Sequence, residues 1–235
     1  MQKDLNNVRY IPEIILKVYD MASDKISKMY IEELQDIKER LISFKYVLPY
    51  IKDKKVLDLG CANGKYLEAL SMESVGVDIS NPNIDECKKK GLNVIKADIN
   101  RLFLDEFETS SFEGIFCSHI LEHVNSPIDL LRECHRILKE EGVFVLGLPI
   151  EGGIIKLKDH YFKNHKGHLY SFSLDNIAAL LEKTDFEVVK IYFELPLFTR
   201  LKLPQFLLDQ LQKLPNPILY KLCWAYWIIA RKIKL

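Results

Sequence analysis

The residues with the clearest chemical meaning form one short turn and two acids that follow it. The segment Asp58–Gly64 (DLGCANG) comes directly after an apolar run, and Gly60 and Gly64 permit a sharp turn that a ligand can approach closely. Asp78 ends the run VGVD, and Asp98 ends the run VIKAD. A carboxylate at the end of the second strand of an α/β sheet accepts hydrogen bonds from ribose hydroxyls. The pattern therefore predicts a nucleoside-binding edge.

The spacing within this turn bears on which nucleoside binds. A dinucleotide site uses GxGxxG, so that backbone amides and a helix N-terminus receive the pyrophosphate. This chain has GxxxG with alanine at position 62, and Asp58 places a negative charge at the end of the strand. These features favour a cationic sulfonium with an amino-acid tail, and they argue against a nicotinamide-dependent oxidoreductase.

Short apolar runs alternate with helical stretches from Lys54 onward, and this alternation predicts how the site is positioned. It is typical of βαβ units and of a mostly parallel sheet with helices on both faces. In such a sheet the loops that follow the strands meet at the carboxyl edge, where ligands bind. The predicted strands are Lys55–Leu59, Ser74–Ile79, Leu92–Ala97, Gly114–Ser118, Gly142–Leu148 and Phe186–Phe193. The predicted helices are Gly64–Ser71, Pro82–Lys90, Pro127–Lys139 and Leu174–Lys183.

The two ends of the chain differ from this central pattern. Residues 1–50 have helical periodicity and are predicted to form an N-terminal helical lid or cap over a core of residues 51–194. Residues 195–235 are predicted to be a helical insertion followed by a last strand of the same domain. The run AYWIIARKI suits that strand, and the alternative is an amphipathic helix shared with LYKLCW.

Composition sets broad limits. Lys+Arg and Asp+Glu both number 33 in 235 residues, so no overall charge attracts nucleic acid or membrane. Five cysteines without framework spacing indicate a reducing compartment and no disulfides, and the absence of a signal-like or spanning apolar run leads us to expect a cytoplasmic protein. The segment from Arg200 onward contains seven basic residues and one acidic residue, which gives it a net charge of +6. This basic, leucine-rich tail favours either peripheral membrane contact or a substrate lid or dimer surface.

Taken in order, DLGCANG, VDIS, KADIN, GIFCSHILEHV and LRECHRILKEEGVFVLGLP resemble the class I S-adenosylmethionine-dependent methyltransferases, in the small-molecule type with LEHV after the fourth strand. The resemblance covers about residues 50–194, with Glu141 standing where the family usually has glycine. It implies a doubly wound, seven-stranded, Rossmann-like α/β fold. It also implies methyl transfer from S-adenosyl-L-methionine to an O, N or C nucleophile of a small, possibly lipid-like acceptor, with S-adenosyl-L-homocysteine as product.

The resemblance further implies cofactor contacts in three groups, which would hold the methionine portion, the ribose and the adenine. These are Asp58, Gly60, Cys61 and Gly64; Asp78; and Ile79, Asp98 and Ile99. Ser118 and His119 would flank the reactive centre. Methyl transfer is an in-line displacement at an activated carbon, so a base is needed only when the acceptor holds a proton. The candidate bases are His119, His165 and His168, each of which also suits an ordinary loop or packing role.

His119, Glu122 and His123 formally match the inverted zinc-protease pattern HxxEH. Their place after the fourth strand of a cofactor-binding sheet argues against a protease, and the ordinary interpretation is a structural turn without metal. However, some relatives, including ubiquinone-pathway O-methyltransferases and small-RNA 3′-end methyltransferases, bind a divalent ion through ExxEH and a later histidine. Here His119 replaces the first glutamate and His168 could be the later ligand. This imidazole-rich set would favour zinc or another transition ion over magnesium.

A different class of function stays open beside catalysis. The same fold could serve as a non-catalytic cofactor-binding or partner-regulating module, which would bind the cofactor without turnover. A nucleic-acid acceptor is not expected, because the chain has no aromatic-studded basic stripe beyond the tail. The sequence leaves open the acceptor and whether the protein is a monomer or a homodimer.

Overall fold

The computed structural model describes residues 41–101, 107–150, 167–194, 209–214, 216, 219–220 and 223–233. Its helices are α1 (Leu41–Val47), α2 (Asn81–Lys89), α3 (Pro127–Ile137) and α4 (Leu174–Glu182). Its strands are β1 (Val56–Leu59), β2 (Val75–Asp78), β3 (Val94–Lys96), β4 (Phe112–Ser118), β5 (Leu138–Pro149), β6 (Phe186–Glu194) and β7 (Ala225–Lys232). Short 3-10 turns cover Leu48–Tyr50, Leu67–Ala69, Ile99–Arg101 and Leu121–His123. The predictions for residues 1–40 lie outside the described residues.

One seven-stranded sheet organises the described residues, in the order β3-β2-β1-β4-β5-β7-β6. Strands β1 to β5 pair in parallel, whereas β7 lies antiparallel between β5 and β6. The carboxyl ends of β1 to β5 therefore meet at one edge of the sheet. This arrangement confirms the predicted mostly parallel α/β fold.

The sheet separates two apolar clusters, and successive strand residues alternate between them. Val145 packs with α1 on one face, and Leu146 packs with α3 and α4 on the other. The same alternation holds in β7, where Trp227 joins the first cluster and Ile228 the second. Since both faces are covered, the central strands are predominantly apolar, with Asp58 and Asp78 near the carboxyl ends of β1 and β2.

The run AYWIIARKI forms a strand, as predicted, and not the alternative helix. In β7, Trp227 pairs with Gly147 of β5 on one side and with Tyr192 of β6 on the other. A β-carbon added to Gly147 would lie 2.7 Å from Cζ3 of the Trp227 ring, so the indole occupies the space that a side chain at position 147 would need. The strand is thus held by backbone pairing on both edges and by packing on both faces.

Two predictions differ from the structure by more than two residues. The helix predicted for Gly64–Ser71 is a single 3-10 turn, Leu67–Ala69, because Gly64 has a left-handed φ of +79° and Leu70 is extended. Strand β5 begins at Leu138 rather than Gly142, because Leu138 already pairs with Phe112 of β4. A bulge separates this pair from the next one, in which Val143 pairs with Gly114.

The C-terminal segment contacts the outer strand of the sheet. Residues 209–211, 216 and 219–220 are helical. The Gln212 amide donates to the Phe193 carbonyl at 2.8 Å and accepts from the Phe193 N–H at 3.1 Å, so it satisfies both polar groups of that residue at the edge of β6. Among the described residues, no helix is both long and apolar enough to cross a membrane.

Candidate functional site

The turn after β1, residues 60–64, is here called the glycine loop. Gly60, Ala62 and Gly64 all adopt left-handed backbone angles, with φ of +73°, +47° and +79°. The amides of Gly60 and Cys61 both donate to the Val77 carbonyl, at 2.8 and 2.9 Å, which fastens the start of the loop to β2. The result is a tight turn at the carboxyl edge of the sheet, as the two glycines predicted.

Both glycines are also closely packed against neighbouring side chains. A β-carbon at Gly60 would lie 2.1 Å from Cδ1 of Ile120, and one at Gly64 would lie 2.3 Å from Cδ1 of Leu92. A side chain at either position would therefore collide with a neighbour as well as strain the backbone. Ile120 follows β4, so the glycine loop and the end of β4 are in direct contact.

Asp78 ends β2 and is bound to the glycine loop. Its Oδ2 accepts from the Ala62 N–H at 2.9 Å, and its Oδ1 accepts from the Ser80 N–H at 2.8 Å and from Asn83 Nδ2 at 3.1 Å. Burial raises the pKa of Asp78, although these three hydrogen bonds oppose the shift. The carboxylate thus shapes the loop from the position predicted to meet a ribose.

Asp58 lies deeper than the sequence suggested. Asp58 is only 1% exposed, and its Oδ2 has no hydrogen-bond partner among the described residues. Burial raises the pKa of Asp58 well above its ordinary range, and the nearby charges of Asp78 and Cys87 raise it further. An unpartnered polar atom under a ligand-binding turn is a group that a bound ligand or water could satisfy.

The other predicted cofactor residues line the same edge. Ile79, Asp98, Ile99 and Ser118 are all half-buried, at or just beyond the ends of β2, β3 and β4. Asp98 Oδ1 accepts from the Asn100 N–H at 2.9 Å, which turns the chain after β3. Ile99 also lines a cavity of about 180 Å³ beside the start of α3.

These residues fit an adenosyl cofactor with an amino-acid tail. The glycine loop has no β-carbon at Gly60 and Gly64, where its backbone turns most sharply. Asp78 lies at the sheet edge beside the loop, and Asp58 has a buried oxygen without a partner among the described residues. Ile79 and Ile99 provide apolar surface on the flank where the resemblance expects adenine. The amides of Gly60, Cys61, Ala62 and Gly64 already donate within the protein, so the loop does not offer the free amides that a pyrophosphate cradle needs.

A second cluster lies after β4. Glu122, His123 and His168 each offer one ligand atom, and these atoms all lie within 4.8 Å of one another. The His123 and His168 rings meet edge to face, with centroids 4.6 Å apart. The structure therefore brings together three of the four residues of the predicted alternative metal site, although His168 is far from the other two in sequence.

Backbone contacts explain how His168 reaches this cluster. The amides of Leu169 and Tyr170 donate to the Glu122 carbonyl at 2.7 and 3.2 Å. His123 Nδ1 lies 2.9 Å from the Gly167 carbonyl, and since a carbonyl only accepts, Nδ1 carries the proton. That tautomer leaves the His123 Nε2 lone pair available for a ligand. Burial lowers the pKa of His123, which keeps the ring neutral.

Glu122 is a buried carboxylate, only 1% exposed. Burial acts to raise the pKa of Glu122, but the contact with His119, a backbone hydrogen bond and the nearby His123 together lower it below its ordinary value. His119 Nδ1 lies 3.5 Å from Oε1, a long contact, so both carboxylate oxygens lack a close donor among the described residues. His119 itself has a left-handed φ of +54° and a side chain that is 37% exposed. It stands beside the three clustered residues, and His165 lies outside the described residues.

Sequence reasoning missed residues that support the glycine loop from behind. Asn83, Cys87 and Lys90, on or next to α2, all contact the loop or the Asp78 carboxylate that binds it. Each lies on or beside a charged helix of ordinary composition. The chain offers no local signal for them, since their partners come from a different βα unit.

Comparisons with known proteins agree with this geometry. Residues 28–191 match the family model described as a methyltransferase domain. The chain is 26% identical over 143 residues to the ubiquinone biosynthesis O-methyltransferase of Hahella chejuensis, and the match covers 58% of each protein. It is 33% identical over 144 residues to the tRNA (carboxymethyluridine(34)-5-O)-methyltransferase of Arabidopsis thaliana, covering 60% of this chain and 35% of that one. The matches thus span about a third to somewhat over half of these relatives' lengths.

Among solved structures, a SAM dependent methyltransferase from Archaeoglobus fulgidus is similar over most of the chain. The TM-score is 0.67 at 25% sequence identity, and the similarity covers 86% of this chain and 99% of that one. The likeness therefore extends over nearly the whole of a solved methyltransferase.

Proposed function

This chain belongs to the methyltransferase domain family, and from that premise we propose that it transfers a methyl group from S-adenosylmethionine to a hydroxyl oxygen of a small-molecule acceptor. The ubiquinone biosynthesis relative is named an O-methyltransferase, which supports oxygen over the nitrogen and carbon alternatives. The observation that carries the proposal is the glycine loop, with Asp78 bonded to it at the carboxyl edge.

The cofactor would be held by residues from three strand ends. The glycine loop and Asp58 would receive the methionine portion, Asp78 the ribose, and Ile79, Asp98 and Ile99 the adenine. When bound, S-adenosylmethionine supplies a methyl carbon activated by the sulfonium. The contribution of the chain is to orient the two reactants and to exclude water from the space between them.

His119 is the base that we propose for an acceptor that keeps its proton. It directly follows Ser118 at the end of β4, and its side chain is partly exposed, so an acceptor can reach it. Glu122 lies 3.5 Å from His119 Nδ1, which would favour a proton on that nitrogen and leave Nε2 to accept. His168 faces Glu122 and His123, and His165 remains a candidate outside the described residues.

The function is tested by measuring S-adenosylhomocysteine formed from S-adenosylmethionine with three acceptor sets: small phenols and catechols, transfer RNA, and none. We expect turnover with the small hydroxylated compounds, and Asp78→Ala should abolish it. Turnover with transfer RNA alone would overturn the small-molecule acceptor. Cofactor binding without turnover on any set would support the non-catalytic module instead.

We also propose that Glu122, His123 and His168 hold a divalent metal ion. Two imidazoles and a carboxylate favour a transition metal such as zinc over magnesium. The lowered pKa values of Glu122 and His123 keep the first charged and the second neutral, as ligands must be. If elemental analysis finds no metal in the purified protein, and added zinc neither binds nor raises the melting temperature, the metal is excluded. The variant Glu122→Gln, which lacks the charged carboxylate ligand, is the control that shows whether zinc binds at this cluster.

The tail and the assembly of the protein remain proposals. Within residues 195–235, β7 is buried in the sheet, so the proposal applies to the basic, apolar segment before it, which suits an anionic membrane surface, and a lid or dimer surface is the alternative. Co-sedimentation with vesicles that contain or lack an anionic lipid separates the two, since a lid or dimer surface predicts no pelleting with either. Light scattering of the full chain decides between monomer and homodimer.

A further inference from the structure

The carbonyl groups of the glycine loop are held from outside the loop by the end of α2. Lys90 Nζ donates to the Asn63 carbonyl at 2.8 Å. Cys87 Sγ donates to the preceding carbonyl, that of Ala62, at 3.3 Å. Two consecutive loop carbonyls are therefore bound by side chains that lie one helical turn apart.

Lys90 also connects the loop to the turn that follows it. Its ammonium lies 2.8 Å from Glu68 Oε1, and the Glu68 amide donates to the Gly64 carbonyl at 2.9 Å. A further carboxylate, Glu86, lies 3.5 Å away on α2. Burial acts to lower the pKa of Lys90, but the two glutamates outweigh it and keep the ammonium charged. Glu68, Cys87 and Lys90 are here called the loop clasp.

The loop needs such support because of one residue. Ala62 has a left-handed φ of +47°, a conformation that costs free energy for any residue with a β-carbon. Its N–H is fixed by Asp78 and its carbonyl by Cys87, so the strained peptide is held on both sides. A loop fixed in its binding shape loses less conformational entropy when a ligand arrives.

We propose that Lys90 is a positioning residue for the cofactor, which it need not touch. Through the Asn63 carbonyl and Glu68, it keeps the glycine loop in the shape that receives the methionine portion of the cofactor. This inference rests on the proposed function, because it assumes that the cofactor binds at the loop. It assigns a role in cofactor affinity to a lysine with no place in the glycine motif.

The test is the dissociation constant of S-adenosylhomocysteine, measured by titration calorimetry on the full chain. Lys90→Met removes the charge and the hydrogen bond but keeps most of the apolar stem. We expect binding about five- to tenfold weaker, the range for losing a charge-assisted hydrogen bond at a partly exposed site. Lys90→Arg should recover most of the affinity, and Glu68→Gln should give an intermediate loss.

Lys89→Met is the matched control, because Lys89 is an exposed neighbour on the same helix. It should bind the ligand like the wild type. In turnover assays Lys90→Met should raise the KM for S-adenosylmethionine and leave kcat within about twofold, since the chemistry near His119 is untouched. Equal affinities for Lys90→Met and Lys89→Met would overturn the proposal.

Hydrogen exchange of the Ala62 and Gly64 amides separates this proposal from the proposed function. Faster exchange in Lys90→Met, with unchanged exchange in the central strands, shows that the clasp holds the loop whether or not a ligand binds. Unchanged exchange at these amides overturns the clasp. A wild-type protein that does not bind S-adenosylhomocysteine overturns the proposed function, and with it the role of Lys90 in cofactor affinity.

Discussion

At the scale of single residues, the acids at the ends of β1 and β2 have different surroundings although both are buried. Asp78 accepts three hydrogen bonds, whereas Asp58 has an oxygen without a partner among the described residues. Burial without full hydrogen bonding destabilises the charged form of a carboxyl group. Asp58 therefore lowers folding stability at neutral pH.

Asp58→Asn should make this cost measurable. The pKa of Asp58 is raised on folding, so the folded state binds more protons than the unfolded state between the two pKa values, and stability falls as pH rises through that window. The neutral amide removes this term. We expect the variant to be about 1–3 kcal/mol more stable than the wild type at pH 8, with a smaller difference at pH 5, in urea denaturation. A difference independent of pH would show that the carboxyl does not titrate.

The geometry of the cluster bears most directly on the role of His168. Its ring meets that of His123, and both lie close to the buried Glu122. His168→Ala should lower kcat by about 100-fold as a lost metal ligand, while the dissociation constant of S-adenosylhomocysteine changes little. Turnover like that of the wild type would remove His168 from the active site.

At the scale of elements, the start of β5 shows why a family position favours glycine. Glu141 has a left-handed φ of +59° at the bulge, where the resembling family usually has glycine. The following Gly142 has no room for a β-carbon, which would lie 2.3 Å from Leu138 Cδ2 and 2.7 Å from the Lys139 carbonyl. The bulge shifts the register so that Val143 to Gly147 pair with β4 up to Ser118, at the edge of the site.

Glu141→Gly should stabilise the protein. Relief of the left-handed strain exceeds the entropy that glycine adds to the unfolded chain, for a net gain of about 0.5–1 kcal/mol. Glu141→Ala is the matched control, because it removes the carboxylate but keeps the β-carbon, and it should leave stability unchanged. Thermal unfolding of the three proteins decides the matter. Equal gains in both variants would assign the effect to charge instead of backbone strain.

At the scale of the whole molecule, the last strand holds the sheet and its two apolar clusters together. Trp227 of β7 is 1% exposed and stacks on Phe116 of β4 with ring centroids 5.4 Å apart. Its ring also lies nearly perpendicular to that of His119, with centroids 6.5 Å apart. A residue near the end of the chain thus supports both the core and the residue proposed as base.

Trp227→Ala should therefore destabilise the entire fold. The cavity left by a buried indole costs about 3–5 kcal/mol, and the loss should appear as one cooperative transition. Trp227→Phe should cost clearly less, since it keeps an aromatic ring and removes an indole N–H that has no partner among the described residues. Loss of structure confined to the C-terminal residues, seen by hydrogen exchange, would contradict this account.

Much of the fold and part of the site followed from local patterns. Gly60 and Gly64, with Asp58 and Asp78 at strand ends, predicted a binding edge because strand direction alone brings these positions together. The alternation of strands and helices predicted the sheet for the same reason. The run AYWIIARKI was harder, because a strand buried on both faces shows no alternation that distinguishes it from a helix.

The tertiary structure decided what depends on contacts between distant segments. It showed that His168 joins Glu122 and His123, that Lys90 holds the Asn63 carbonyl, and that Asp58 is buried beneath the loop. A sequence fixes which side chains exist and the local angles that they permit. Burial, and the pKa values and hydrogen bonds that follow from it, arise only when separate βα units pack against one another. The sequence alone thus determined the fold class and the edge of the sheet at which the predicted site lies, and the packing of the fold decided which side chains meet there.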